Sequence, residues 1–122
     1  MPVIRPTDER TTTTPNATMV HLAAPSAGST ELSTWRVHMP AGNAGPAHVL
    51  DREQVFMPVS GSVEIIVDGV AEVCGAGEAA VLPAGSTRAI RALADVDALV
   101  AMPAGAVLTA EGREPGPLPW AI

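Results

Sequence analysis

Hydrophobic and polar residues alternate along most of this chain in short runs that turn residues interrupt. Runs rich in valine, isoleucine, leucine and threonine, bounded by glycine and proline, indicate β-strands. Nine such runs span residues 18–22, 32–39, 47–50, 54–59, 63–67, 70–74, 79–82, 87–93 and 96–102. No stretch repeats its apolar residues at helical spacing, so the pattern predicts an all-β domain.

The clearest local signal is Asp68-Gly69, which lies between two of these runs. An Asp-Gly pair tolerates the positive φ angles of a tight two-residue turn, so we expect a β-hairpin here. Short strands at regular intervals in a chain of 122 residues are typical of a single β-sandwich or closed barrel.

The two ends of the chain differ from the middle region, residues 17–115, which contains the strands. Residues 1–16 are polar and include four consecutive threonines before Pro15. They are predicted to be a flexible arm or an edge strand that docks on a partner subunit. Residues 116–122 form an extended, proline-containing tail, and its Trp120 is expected to cap the core or to pack in a subunit interface.

Composition narrows the class of protein further. Hydrophobic residues make up 47% of the chain, yet it contains no tyrosine, one phenylalanine and two tryptophans. Its apolar side chains are therefore mostly small or β-branched, which together with 12 prolines and 11 glycines favours strands over long helices. No run of about 18 apolar residues is present, and this excludes a helical membrane span.

Charge and cysteine content exclude other classes. The seven basic residues are all arginines and face 13 acids, for a net charge of -6, so we expect no nucleic-acid partner. The single cysteine, Cys74, excludes an intramolecular disulfide and a cysteine-rich zinc module. Its apolar neighbours predict a buried thiol. The N-terminus lacks the apolar core of a signal peptide, so we expect a cytoplasmic protein.

Two spaced motifs lie in the middle of the chain. The residues that define the first are Gly42, His48, Leu50, Gln54 and Gly61, and those of the second are Gly77, Pro83, Gly85 and Arg88. In order and spacing they resemble the two motifs of the cupin superfamily. The 15 residues between them, 62–76, are typical of small single-domain bacterial cupins of the type-2 kind. The resemblance implies a jelly-roll barrel, also called a double-stranded β-helix, and a homodimer.

The chain keeps the frame of these motifs but not their metal ligands. In cupins, two histidines and a glutamate of the first motif and a histidine of the second bind a divalent metal. The matching positions here hold His48, Leu50, Gln54 and Arg88. Leucine has no lone pair to donate, and arginine has no acceptor atom. We therefore expect no metal cofactor; a weak divalent site, if one forms, would use His48 with Gln54 and His38.

A polar cluster inside an apolar barrel stands where the metal would be expected. His48 is predicted to be a general acid/base, Arg88 to hold a carboxylate or stabilise an oxyanion, and Gln54 to orient the substrate. Arg88 has an alternative, which is to lean out of the barrel and pair with Glu53 or Asp51. Further residues are predicted to contact the substrate: His38, Leu50, Phe56, Met102 and Trp35.

Three functions fit this arrangement. The leading hypothesis is a metal-independent enzyme of lyase, isomerase or cyclase type that acts on a small molecule, as in secondary metabolism. The first alternative is a non-catalytic cupin that binds a small ligand. The second is a metal-dependent oxygenase with an atypical site. The fold alone does not choose among them.

Overall fold

The structure, a computed structural model, describes residues 1–122 and consists of two antiparallel β-sheets with short connections. Three short 3-10 helices span Asp8–Arg10, Pro25–Ala27 and Pro119–Ala121, and no helix is long and apolar enough to cross a membrane. The strands are β1 (Thr11–Thr13), β2 (Thr18–His21), β3 (Leu32–Met39), β4 (His48–Leu50), β5 (Gln54–Ser60), β6 (Ser62–Val67), β7 (Val70–Gly75), β8 (Ala80–Leu82), β9 (Thr87–Ala92), β10 (Val96–Pro103) and β11 (Leu108–Thr109).

The strands cross repeatedly from one sheet to the other. The larger sheet has the order β1-β2-β3-β10-β5-β8, and the smaller has the order β11-β4-β9-β6-β7. Successive strands such as β4 and β5, or β8 and β9, therefore belong to opposite sheets. The all-β fold expected from the sequence is confirmed.

All nine predicted strands are present, and their ends agree with the predicted ones to within one residue. The structure adds two short strands, β1 inside the predicted arm and β11 near the C-terminal end. A strand as short as β11 has too few residues to show an alternation, so its sequence carries no periodic signal.

Two glycines have conformations that the turns of this fold require. Gly69 (φ 83°) follows Asp68 (φ 48°) in the β6–β7 hairpin, so the predicted tight turn is confirmed. Gly61 (φ 76°), the last residue of the first motif, lies between β5 and β6. A Cβ atom at Gly61 would lie 2.2 Å from the backbone oxygen of Asp95. Only glycine fits at that position.

The interior is formed by alternate residues of the long strands. On β3 the buried side chains are Ser33, Trp35, Val37 and Met39, and the intervening residues face outward. On β10 every second residue from Val96 is likewise buried. Strand β10 pairs with β3 on one side and β5 on the other. Together with residues of the smaller sheet, these side chains form a core of 19 buried residues.

Both chain ends pack against this body. Strand β1 pairs with β2 of the same chain. In the tail, Leu118 and Ala121 are buried, and the hydroxyl of Ser33 donates a hydrogen bond to the Ala121 backbone oxygen at 2.6 Å. The tail is therefore held to the larger sheet. Docking of residues 1–16 on a partner subunit stays a prediction.

Candidate functional site

A cavity of about 680 Å³ lies between the two sheets. Most of its lining is hydrophobic, and the larger sheet supplies Met19, Trp35, Val37, Met39, Phe56 and Val100. Both ends of the chain line the cavity as well. The N-terminal region contributes Thr14 and Asn16, and the C-terminal region contributes Leu118 and Trp120. A concave, mainly apolar space of this volume is typical of small-molecule binding sites.

His48 is the first residue of β4, and its imidazole reaches the cavity. Its Nδ1 lies 3.1 Å from the backbone oxygen of Pro46. Because a carbonyl can only accept, Nδ1 must carry the hydrogen, and the neutral ring then has a free lone pair on Nε2. Burial lowers the pKa of His48; the Pro46 hydrogen bond opposes this, and Arg88 and Arg113 lower it further. The imidazole is therefore neutral at pH 7 and able to accept a proton.

Gln54 brings the second polar group to the cavity. It is the first residue of β5 and is only 5% exposed. Its carboxamide lines the cavity and makes no hydrogen bond to the rest of the protein. A buried amide has two donor hydrogens and an acceptor oxygen to offer. Those groups are available to a ligand.

Four of the residues predicted for the site come together in this cavity. They are His48, Gln54, Phe56 and Trp35. Phe56 follows Gln54 by two positions on β5, so strand alternation places both side chains on the inner face. The predicted capping role of Trp120 agrees with its position, since it is half-buried against the core and lines the cavity.

Arg88 points into the barrel but does not line the cavity. It lies directly opposite His48 in the β4–β9 pairing and is fully buried. Its guanidinium turns back to the β8–β9 connection and donates to the backbone oxygens of Pro83 and Ser86 and to the Ser86 hydroxyl. The predicted contact with a ligand is therefore not made, nor is the alternative ion pair with an acid of the β4–β5 turn.

The charge of Arg88 is left uncompensated at short range. No carboxylate hydrogen-bonds to its guanidinium, and its Nη1 atom is buried without any hydrogen-bond partner. Burial lowers the pKa of the guanidinium, while the more distant charge of Asp68 raises it. Since an arginine side chain stays protonated in proteins, a buried cation lies beside His48.

The structure corrects the predicted role of His38. Because Val37 and Met39 face inward on β3, His38 faces outward, and its side chain is 48% exposed. Its Nδ1 lies 3.2 Å from Oδ1 of Asp97 on the neighbouring strand β10. It can therefore neither contact a ligand in the cavity nor join His48 around a metal.

Leu50 and Met102 are also placed differently from the prediction. Both face inward and are almost completely buried, but neither lines the cavity. They are part of the packed hydrophobic core. Strand alternation identifies the inner face of a strand, whereas it does not distinguish a side chain against an open space from one that is covered by its neighbours.

The prediction missed the contribution of the segment that follows β11. Ala110, Glu111 and Arg113 line the cavity, and Arg113 is near enough to His48 to lower its pKa. These residues lie more than 20 positions beyond the second motif, in a loop without periodic pattern. Further along this segment, the sequence had indicated a structural role only for Trp120.

The residues at the motif positions do not fit a metal. No group of three or more histidine, cysteine, aspartate or glutamate side chains is placed to hold one. A catalytic metal ion such as zinc takes about three protein ligands. The cavity offers one imidazole, from His48, and the neutral amide oxygen of Gln54, while Arg88 adds a positive charge beside them. These donors are too few for a catalytic metal ion.

Comparison with known families agrees with the architecture. The family model described as Cupin domain matches residues 35–104, which is more than half of the chain. The chain belongs to the cupin family. The resemblance seen in the two motifs is thereby confirmed, and the two-sheet barrel is the cupin fold. No curated protein matches the sequence of this cupin.

Solved structures with the same fold include proteins of different kinds. Salicylate 1,2-dioxygenase from Pseudoaminobacter salicylatoxidans, in a structure with gentisate, has a TM-score of 0.72 at 17% identity over 84% of this cupin. The match covers only 31% of the dioxygenase chain. KdgF from Halomonas sp. has a TM-score of 0.68 at 20% identity, over 75% of this cupin and 82% of that chain.

A third similar structure is the cupin domain of Cnp3 from Schizosaccharomyces pombe, with a TM-score of 0.66 at 16% identity. That match covers 72% of this cupin and 64% of the Cnp3 chain. At these identities the three likenesses show the fold alone. The chemistry must be argued from the side chains of this cupin.

Proposed function

We propose that this cupin binds a small, largely apolar molecule in its cavity and that His48 acts on it as a general base without a metal. The observation that carries the proposal is the state of the imidazole. Its Nδ1–H is held by the Pro46 oxygen, so Nε2 is the proton acceptor, and the ring lines an apolar cavity of about 680 Å³. The reaction class is that of a metal-independent lyase, isomerase or cyclase.

The proton transfer we infer begins at a carbon next to a carbonyl group of the ligand. Nε2 of His48 takes the proton, the C–H electron pair moves into the carbonyl, and an enolate forms. The carboxamide of Gln54, free of protein partners, donates a hydrogen bond to the enolate oxygen. Return of this proton from Nε2 to a different carbon of the ligand completes an isomerisation. Expulsion of a group from the β-carbon, which departs with the proton of Nε2, completes a lyase reaction. Attack of the enolate carbon on a second carbonyl of the same ligand, whose oxygen takes the proton from Nε2, closes a ring.

The pKa of His48 suits this role only in part. A lowered pKa favours the unprotonated form of Nε2 at neutral pH, so most of the protein is ready to accept a proton. The same shift makes the imidazole a weaker base. The proposal therefore applies best to carbon acids that are already activated, such as ketones flanked by an aromatic ring.

A non-catalytic ligand-binding cupin is the second candidate. It is favoured by the small number of titratable groups, because His48 is the only histidine that lines the cavity and the two other ionisable side chains there, Glu111 and Arg113, are exposed. A reaction that needs a separate general acid deep in the cavity has no group for it. This candidate predicts binding without chemical change in the ligand.

The metal-dependent oxygenase, the remaining alternative, is the least supported. It needs ligands that the motif positions do not offer, since Leu50 has no donor atom and Arg88 is a cation. The likeness to salicylate 1,2-dioxygenase extends over less than a third of that protein and concerns the fold. It does not supply the missing donors.

Assembly and location remain predictions. We infer a homodimer from the family resemblance, and the exposed edge strand β7, with Val70 and Val73 largely open to solvent, is an apolar surface that a second copy could cover. A cytoplasmic location stays a prediction, and so does the absence of a nucleic-acid partner, which rests on the net charge of -6.

Hydrogen exchange on a model ketone tests the proton transfer directly. The α-hydrogens of 2-tetralone are followed by NMR in D2O with wild-type protein, His48→Ala and, as a matched control, His38→Ala on the outer face. We expect the wild type and the control to accelerate exchange equally and His48→Ala to lose about 100-fold. Equal rates with and without His48 would remove it from the mechanism. Binding of 2-tetralone without any acceleration would favour the non-catalytic candidate.

A further inference from the structure

We propose that Arg113 makes the cavity selective for apolar ligands that carry a negative charge, with a carboxylate as the charged group. The proposal rests on the proposed function in one respect, namely that the cavity holds a small ligand beside His48. It adds the chemical class of that ligand and assigns the recognition of its charge to a residue outside both cupin motifs.

The charges that line the cavity lie on one loop. Glu111 and Arg113 are the only charged side chains of the lining, and both follow strand β11. Arg113 forms no ion pair, because the two ion pairs of the protein join His38 to Asp97 and Arg91 to Glu64. No carboxylate therefore lies within ion-pair distance of its guanidinium.

Arg113 is the lining charge whose field reaches the imidazole. It is among the groups that lower the pKa of His48, whereas Glu111 has no such effect. The second cation that acts on the imidazole is Arg88, buried on the neighbouring strand with its Nη1 atom unpartnered. No acid contributes there. Both charged groups that act on the imidazole are therefore positive, although the protein has a net charge of -6.

The loop that carries Arg113 is held at its base. Leu108 and Gly116 exchange two backbone hydrogen bonds, with N–O distances of 2.7 and 3.1 Å. Within the loop, the amide of Arg113 donates to the Ala110 oxygen at 3.3 Å. Beyond the loop, Leu118 is buried in the core. These contacts hold the backbone of the loop beside the cavity, so Arg113 can contact a ligand without folding of a free terminus.

The other residues that line the cavity determine the apolar part of the ligand. Most of the wall beyond His48 and Gln54 is aliphatic or aromatic, with Trp35 and Phe56 as the large flat surfaces. One or two fused rings with a carboxylate at one end would place apolar surface on these walls and the anion near Arg113. A cation at the same place would be repelled by Arg113, with the buried charge of Arg88 behind the cavity wall, and is disfavoured.

The solvent exposure of Arg113 limits how strongly the cavity can prefer an anionic ligand. Arg113 is exposed, so its attraction for an anion is weakened by solvent and by salt. A charge-assisted hydrogen bond from Arg113 to the ligand strengthens this attraction. We expect an anionic ligand to bind about three- to tenfold more tightly than a neutral ligand of the same shape at low salt. The preference should shrink at an ionic strength of about 0.5 M.

Two probes of nearly the same shape test the proposal, the anion 2-naphthoate and the neutral 2-naphthamide. Each is titrated by calorimetry at about pH 7 into wild type, Arg113→Gln, Arg113→Glu and the control Arg52→Gln, in which an exposed arginine away from the cavity is changed. We expect the wild type and the control to prefer 2-naphthoate. Arg113→Gln should remove this preference while retaining 2-naphthamide binding, and Arg113→Glu should reverse it.

The outcomes separate this proposal from the one on which it rests. If 2-naphthamide binds and the wild type shows no preference for 2-naphthoate, or if the preference survives Arg113→Gln, charge recognition by Arg113 is overturned while ligand binding stands. If neither probe binds to any variant, ligand binding by the cavity and this inference are overturned together.

Discussion

Replacing Arg88 by methionine should stabilise this cupin, although it alters a fully buried side chain, the last residue of the second motif. The guanidinium is inaccessible to solvent, has no acidic partner within hydrogen-bond distance and leaves Nη1 unpaired. Removing an ion from water without an opposite charge costs several kcal/mol. Methionine is unbranched and adaptable, so it can fill most of the space of the arginine chain.

The hydrogen bonds that the substitution removes are partly redundant. The Pro83 oxygen also accepts from the Ser86 amide at 3.2 Å and from the Ser86 hydroxyl at 2.7 Å, so it stays paired. The bond from Nε to the Ser86 oxygen is long, at 3.4 Å. Replacing buried charges by apolar side chains is often neutral or stabilising by about 1–4 kcal/mol. We expect Arg88→Met to gain about 1–3 kcal/mol.

Chemical unfolding followed by tryptophan fluorescence measures this change, since Trp35 is buried in the folded state. The midpoint for Arg88→Met should rise at unchanged slope, and the melting temperature should rise by about 4 °C per kcal/mol. The matched control is Arg91→Met on the same strand, half-exposed and 3.3 Å from Glu64, which should change stability by less than about 0.5 kcal/mol. A loss of more than about 1 kcal/mol in Arg88→Met would refute the reasoning and indicate that the charge is compensated.

Two further predictions concern stability. Because burial lowers the pKa of His48 below its ordinary value of 6.5, the unfolded chain binds the proton more readily. The contribution of the neutral His48 imidazole to the free energy of unfolding is therefore complete above about pH 6.5. It is lost as the pH falls from there through the folded-state pKa of His48. Melting temperatures between about pH 8 and pH 5 should fall less steeply in His48→Gln than in wild type or the control His38→Gln; an equal slope in all three would contradict this. Gly61→Ala should lose about 2–4 kcal/mol in denaturant unfolding, because its Cβ would lie 2.2 Å from the Asp95 oxygen at a φ of 76°. Gly69→Ala, with a φ of 83° and open space around the Cβ, should lose only about 1 kcal/mol, and similar losses at both glycines would argue against the steric explanation.

The strands were predictable because their signals are local. Alternation of apolar and polar side chains, interrupted by glycine and proline, depends only on neighbouring residues and on the half-buried state of each strand. The Asp68-Gly69 turn is a property of the dipeptide, and the structure has both residues at positive φ. Strand β11 lacked such a signal because it comprises only Leu108 and Thr109.

The candidate site was predictable where the motif itself places the side chain. His48 and Gln54 are both motif residues and both line the cavity, and alternation from Gln54 correctly adds Phe56. The same alternation, applied to β3 with Trp35 inward, places His38 outward, and the suggestion that it joins the site was wrong. Its contact with Asp97 depends on the β3–β10 register, which the sequence alone does not specify.

By itself, the sequence determined the all-β class, the strand positions and the cupin motifs, with a histidine and a glutamine where metal ligands would be expected. The tertiary structure decided which charged groups surround the histidine. Arg88 turns back to the β8–β9 connection, and Arg113 reaches the cavity from a loop more than 20 residues further along the chain. The physical reason is that strand alternation orients only the first bond of a side chain. The position of a long, flexible arginine depends on carbonyls and charges that the fold brings from distant parts of the chain.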